Sequence, residues 1–246
     1  FTHTYDTTNL KKKITENYGL LIGKSSSVYF SKDRFVQDSL MIENSKKTGT
    51  MMPPAGRRYN SEKIYFFHNE QSFFITSNNL IGNYIIKKSY PALVWKLYKD
   101  TVHYKGYTLN KATSKYNGRN YICWFAPSLP FKAGPWKLNG LPGLIFKAYD
   151  ETNRISFELT SFTQAITKEN IKWEDKYKKI DWDEYLKLVY FFRDDPDGFI
   201  QTRFPGIQIT SSVTPEQRKK MPKQTVLDIP TYINFPLEDK KYLYLR

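Results

Sequence analysis

Asn117-Gly118 stands between two runs of β-forming residues, 111–116 and 119–125, and no other stretch restricts the fold of this chain so tightly. The dipeptide accepts the two positive φ angles of a type I′ turn, whose twist matches that of paired antiparallel strands. A β-hairpin over 111–125 follows. On its second strand Tyr121, Cys123 and Phe125 alternate with Ile122 and Trp124, so both faces are apolar and either both are covered or one lines a groove. A second hairpin is predicted downstream, with runs 144–149 and 154–162 joined by Asp150-Glu151-Thr152-Asn153. There Ile155, Phe157 and Leu159 alternate with Ser156, Glu158 and Thr160, the pattern of a strand with one wet side.

The first half of the chain repeats this style. Short β runs at 18–22, 27–31, 63–68, 72–76 and 84–87 are divided by polar punctuation, and antiparallel connection is the simplest arrangement. Residues 1–6 also read as a strand, 34–42 as a helical turn or two, and 48–60, with Pro53-Pro54, as a loop. Past Thr167 the composition turns charged, and Asp181 is a natural N-cap for a helix carrying Tyr185, Leu188, Val189 and Phe192, ended by Asp194-Asp195-Pro196. After Gly198 the prolines at 205, 215, 222, 230 and 236 predict an irregular tail with short strands such as 206–210. The aromatic content of 17% suits pleated sheets better than helix bundles. The expectation is a mainly β (α+β) fold: a curved antiparallel sheet or half-barrel with one packed helix and a Pro-rich irregular C-terminal tail. Residues 1–165 are expected to form the β domain, with the helix and extended tail of 166–246 packed on it.

The residue types exclude several chemistries. A single cysteine, Cys123, rules out an internal disulfide and a cysteine-cornered zinc site, and its place in an aromatic strand reads as a buried inert thiol. His3, His68 and His103 are too far apart for two ligands on one element, so neither a metal nor a cofactor is predicted. The segment 19–25 is one residue short of a phosphate loop, and Lys47-Thr48-Gly49 lacks the Ser-x-x-Lys partner it would need. Asp195-Pro196-Asp197-Gly198 lacks carboxylates at the calcium-loop positions held by Arg193 and Phe204. No Gly-x-Ser-x-Gly elbow occurs, and no apolar run approaches the roughly 20 residues of a membrane span. The net charge of +14 attracts anions of any kind, but the basic residues are spread along the chain, which reads as a solvated surface and argues against a nucleic-acid partner. Lysines interleave with aromatics at 98–99, 103–107 and 115–116, marking Tyr104, Tyr107, Tyr116 and Trp124 as a candidate aromatic surface for ring stacking; half-buried strands show the same pattern.

From Gly134 the chain reads Gly-Pro-Trp-Lys-Leu-Asn-Gly-Leu-Pro-Gly-Leu-Ile-Phe-Lys-Ala. Pro142 and Gly143 occupy the central positions of an expected type II turn, a tight corner that would deliver Leu144, Phe146 and Ala148 to one face of the next strand against Trp136 and Leu138. The hexapeptide Gly140-Leu141-Pro142-Gly143-Leu144-Ile145 resembles the signature of the GLPGLI family of Bacteroidetes. Gly106-Tyr107, Lys111-Ala112, Gly118-Arg119-Asn120-Tyr121, Trp124-Phe125, Pro130 and Gly134-Pro135-Trp136 resemble that family's approach to its signature in order and spacing. Asp6-Thr7-Thr8, Tyr29-Phe30-Ser31 and Asp38-Ser39-Leu40 resemble its N-terminal pattern. The resemblance covers about residues 1–165. One departure is Leu109, where many members carry a cysteine.

The resemblance implies an exported protein of the periplasm or outer-membrane periphery, its leader processed away upstream, and it supplies no catalytic residues. The leading expectation is an accessory protein that binds an outer-membrane protein such as a TonB-dependent receptor, or another envelope component, and is compatible with peripheral membrane association. Residues Gly140, Leu141, Pro142, Gly143, Leu144, Ile145 and Trp136 are the candidate docking turn, although a structural corner is the plainer reading. Two alternatives stay open: an envelope-polymer hydrolase with carboxylates such as Asp38, Asp100 or Asp150 assembled by the fold, and a basic nucleic-acid-binding module.

Overall fold

The computed structural model describes residues 1–5, 14–49, 57, 59–70, 72–79, 81–89, 93–164 and 170–203. The Pro-rich tail, its expected strand at 206–210 and most of the expected loop at 48–60 lie outside the described residues. Among the described residues twelve strands form one open sheet in the order β12-β6-β5-β4-β3-β2-β1-β11-β10-β9-β8-β7. They are β1 (Thr2–Tyr5), β2 (Ile14–Ile22), β3 (Ser26–Ser31), β4 (Lys63–Phe67), β5 (Ser72–Asn79), β6 (Gly82–Ser89), β7 (Lys96–Tyr104), β8 (Tyr107–Tyr116), β9 (Arg119–Ala126), β10 (Leu144–Asp150), β11 (Ile155–Glu158) and β12 (Lys178–Asp181). Every pairing is antiparallel except the outermost, β12 on β6. The mainly β, α+β fold expected from the sequence is the one observed.

The Asn117-Gly118 hairpin is present as expected: both residues have positive φ (50° and 77°), and Tyr116 pairs with Arg119 across the turn. The hairpin of β10 and β11 also forms, its second strand ending at Glu158, with Ile155, Phe157 and Leu159 buried and Glu158 and Thr160 exposed. A third hairpin was not expected. Lys105 and Gly106, at φ 50° and 81°, repeat the type I′ geometry and join β7 to β8.

The sheet curls so that one face closes on itself. Tyr18, Tyr29, Ile64, Phe73 and Ile75 from β2–β5 share a core with Ala112, Tyr121, Cys123, Phe125, Ala148 and Phe157 from β8–β11. The loop 127–143 lies inside this curl. Trp136 packs at 5.5 Å edge-on to Tyr116 and at 6.2 Å stacked on Phe157, while Lys137 sits 5.1 Å over Phe73 on the opposite half. The strands β3–β6 are covered on their other face too, where Val28, Tyr65, Phe74 and Ile85 meet Tyr177. That double burial explains continuous apolar runs such as Phe73-Phe74-Ile75 in place of alternation.

Among the described residues three helices accompany the sheet. Helix α2 (Trp182–Asp194), with Asp181 at its N-cap position but making no side-chain capping bond, packs Tyr185, Val189 and Phe192 on Ile81, Tyr84 and Ile86, joined by Phe199 of α3 (Pro196–Arg203). The expected helical turn or two near residue 34 is longer: α1 runs Lys32–Thr48, with Ser31 accepting from the Arg34 amide at 3.0 Å and Gly49 closing it at φ 70°. None of its residues is buried, so no apolar stripe in the sequence could mark its length.

Candidate binding surface

The hexapeptide is a corner of a different kind from the one expected. Gly143, which a type II turn would hold at positive φ, is not in the left-handed region; Gly140 is, at φ 85°. Gly143 is required for closeness instead, because a Cβ there would stand 2.2 Å from the Ala126 carbonyl oxygen. The corner is fastened by the Leu144 amide donating to Leu129 O (2.9 Å), the Gly140 amide to Lys132 O (3.2 Å) and the Trp95 indole to Asn139 O (2.8 Å). A bulge between Ile145 and Lys147 turns both Ile145 and Phe146 inward. Leu141, Leu144, Ile145 and Trp136 are buried, so of the candidate docking turn only Gly140 and Pro142 are exposed.

Of the candidate aromatic residues, Tyr116 is buried against Trp136 and leaves the surface set, which corrects the expectation for that residue. Tyr104, Tyr107 and Trp124 are half-buried, Tyr107 packing at 5.1 Å on Phe146. The Trp124 indole donates to the Tyr149 hydroxyl at 3.5 Å. The Tyr104 hydroxyl donates to Glu158, which pushes its pKa up to about 12, and Lys147 Nζ lies 3.7 Å from the centre of its ring. Tyr98 is flanked by Lys96 and Lys111 at 5.2 and 5.3 Å. The chain's own lysines thus sit against the rings of Tyr98 and Tyr104, where a stacked ligand would have to lie.

The other sequence candidates are scattered. His3 is stacked on Phe157 at 4.2 Å, where burial holds its pKa down to about 3; His68 is exposed after β4, and His103 on β7 meets Thr108 Oγ1 at 3.2 Å. Among the described residues no three metal-ligating side chains gather. Burial raises the Cys123 thiol well above its ordinary range. Asp38 on α1 is held by Arg34 at 2.8 Å, Asp150 by Arg119 at 3.0 Å, and Asp100 lies exposed on β7. Since α1 packs along β2, β7 pairs only with β8, and β10 lies between β9 and β11, these three carboxylates do not converge.

What the fold does offer is an open edge. β7 is the outermost strand, and nothing among the described residues pairs with its far side. All nine of its positions are at least partly bare, Leu97 and Val102 being 55% and 41% exposed, and Val94 just before it is 84% exposed. The strand is blunted by Lys96, Lys99 and Asp100 and by a bulge between Leu97 and Thr101, beyond which residues 101–104 run in regular register with β8. Lys105 at its tip donates to the carbonyls of Leu159 and Thr160 at 2.8 and 2.7 Å, holding the hairpin against the end of β11. Sequence reasoning took this stretch as a lysine and aromatic pattern. The available signal was Lys105-Gly106 standing between Tyr104 and Tyr107 at hairpin spacing.

No protein-family model and no curated protein sequence matches the chain. Two solved structures of PNGF-II, in the P21 and C2 space groups, are similar in fold, each with a TM-score of 0.51 at 16% and 17% identity. The match covers 78% of this chain but 32% and 33% of those chains, so the chain spans about a third of their length. At that identity the likeness is one of fold alone.

Proposed function

We propose that this chain is a non-catalytic binding protein of the cell envelope that takes an extended segment of an outer-membrane protein, such as a receptor, as an added strand along β7. The observation that carries the reading is the long edge strand with Leu97 and Val102 uncovered. A bare strand edge presents a row of backbone donors and acceptors, and soluble proteins ordinarily cover or blunt such an edge unless something pairs with it. Strand addition uses those backbone groups for affinity and alternate side chains for choice of partner. The envelope location and the class of partner rest on the resemblance of residues 1–165 to GLPGLI proteins. Lys96, Lys99 and Lys105 outnumber Asp100 along this hairpin, so an acidic segment is the better match.

The test is capture from detergent-solubilised envelope with the protein and its Leu97→Lys/Val102→Lys double variant, followed by hydrogen exchange on the complex. The expected result is an envelope protein retained by the parent and lost by the variant, with new protection on the amides of 101–104. Equal capture by both chains, or protection elsewhere with none on β7, would sink the reading.

A further inference from the structure

Helix α1, far along the sheet from β7, is mounted with its polar side toward the body and its apolar side toward solvent. Its positions 34, 37, 38, 41 and 45 are half-buried and mark the inward side, while positions 35, 39, 42 and 46, and beside them 36, 40, 43 and 47, are all exposed. Apart from Met41 the inward side is polar: Arg34, Gln37, Asp38 and Ser45. The outward side carries Phe35, Val36, Leu40 and Ile42, which are 61%, 48%, 55% and 47% exposed. An ordinary surface helix does the reverse. Single exposed apolar residues are common on any protein surface, but four gathered on one side of one helix make a patch.

Polar bonds hold the helix in this orientation. The Asp33 carboxylate accepts from the Asn17 backbone amide at 2.8 Å and from its side-chain amide at 3.1 Å, and the Gln37 side chain donates to Arg57 O at 3.1 Å. Arg34 pairs with Asp38 at 2.8 Å on the same side. Phe35 meets Phe30 edge-on at 6.4 Å and still stays mostly bare. Rolling the apolar side inward would break these bonds, so its exposure is built into the way α1 is attached.

Charge narrows what would cover it. On the outward side Lys32 stands at one end of the apolar patch and Lys46 and Lys47 at the other, and the carboxylate of Glu43 is taken up by Lys47 at 2.7 Å. A second copy of the chain would set these cations against their own kind, whereas an anionic layer gains from both ends. Lysines that flank an apolar patch can lay their stems on it and extend the ammonium groups to phosphate level. The bare side is also a convex ridge, which a deformable layer can meet without a matching groove. We propose that α1 is a peripheral membrane-docking helix that lies flat on an anionic bilayer, with Phe35, Val36, Leu40 and Ile42 turned into the lipid and Lys32, Lys46 and Lys47 on the headgroup phosphates.

The test is sedimentation of the intact chain with lipid vesicles, together with a polarity-sensitive dye on Ser39→Cys, a position in the middle of the patch; labelling is selective because Cys123 is buried. Expected is binding to vesicles of equal parts phosphatidylglycerol and phosphatidylcholine, weakened by salt, no binding to phosphatidylcholine alone, and a blue shift of the dye in the bound chain. Phe35→Gln/Leu40→Gln should weaken binding about tenfold or more, and Lys32→Gln/Lys46→Gln about fivefold for each charge removed. No binding to the anionic vesicles, full binding by both variants, or an unshifted dye in the bound chain would overturn the proposal. So would a dye already shielded in the free monomer, which assigns the cover to chain outside the described residues, or a shift that tracks dimer formation without lipid, which assigns it to a second copy. A shift with poly-L-glutamate but not with vesicles would assign the face to an acidic protein instead.

Discussion

The two ends of the sheet handle the same problem in opposite ways. At one end β12 is four residues long, carries Lys178, Lys179 and Asp181, and runs straight into α2, which folds back to bury Tyr185, Val189 and Phe192 against β6. At the other end β7 is more than twice as long and leaves Leu97 and Val102 in solvent. A short edge strand that runs into a packed helix offers little to pair with; a long one with bare apolar side chains offers more. Both edge strands are exposed; the asymmetry is that the apolar residue of β12, Ile180, packs with the α2 cluster, whereas Leu97 and Val102 of the longer β7 stay bare.

The largest effect should come from breaking the protected end. Phe192→Ala removes a ring from the packing between α2 and β6, and urea unfolding should show a loss of about 3–5 kcal/mol. Next is the middle of the sheet, where the two ends are joined. The Glu62 carboxyl is raised from 4.5 to about 7, so the folded chain binds a proton that the unfolded chain has released. Its contribution is therefore unfavourable once ionised, and stability should fall as pH rises from about 4.5 to 7, by an amount on the order of 1–3 kcal/mol. His3, lowered from 6.5 to about 3, acts in the opposite sense, adding stability as pH rises through about 3 to 6.5. Thermal unfolding of Glu62→Gln across pH 4–8 should keep the rise due to His3 and lose the later decline; a decline that persists in Glu62→Gln assigns it to another group.

Of similar or smaller size is Gly143→Ala, which forces a methyl group to within 2.2 Å of the Ala126 carbonyl and should cost about 1–3 kcal/mol by chemical unfolding. A cost below a few tenths would mean that the corner yields easily. Smallest should be Leu97→Lys/Val102→Lys, for which a stability change within about 0.5 kcal/mol is expected despite the loss of partner capture. A large loss of stability there would erase the contrast between the ends.

The parts of this fold that were legible in the sequence are those written locally. Asn117-Gly118 dictates its turn by φ alone, Asp181 marks a helix start, and the unbroken apolar runs of β4–β6 announce strands covered on both faces. Helix α1 escaped because it buries nothing: its limits are set by Ser31 and Gly49, not by periodicity. The role of Gly143 depends on a carbonyl 17 residues away, and a type II turn was the natural local reading of Pro142-Gly143. The meeting of positions 3, 29, 62 and 136 was out of reach for the same reason, since they come together only after the sheet has curled. Aromatic patterning pointed to the right strands but could not say which rings face inward, so Tyr116 was misplaced.

The placement of β1 has a kinetic consequence. Its residues 2–5 pair on one side with 14–17, a neighbouring hairpin, and on the other with 155–158, some 150 positions along the chain. The pairings within β2–β6 and within β7–β11 all connect strands adjacent in sequence. Each half can therefore nucleate early from nearby partners, while the seam must wait for a large loop to close, a step that slows folding as sequence separation grows. Until residue 158 has been synthesised, the half containing β1 carries an unmatched inner border, and that border is where a helper holding the nascent chain would do the most good.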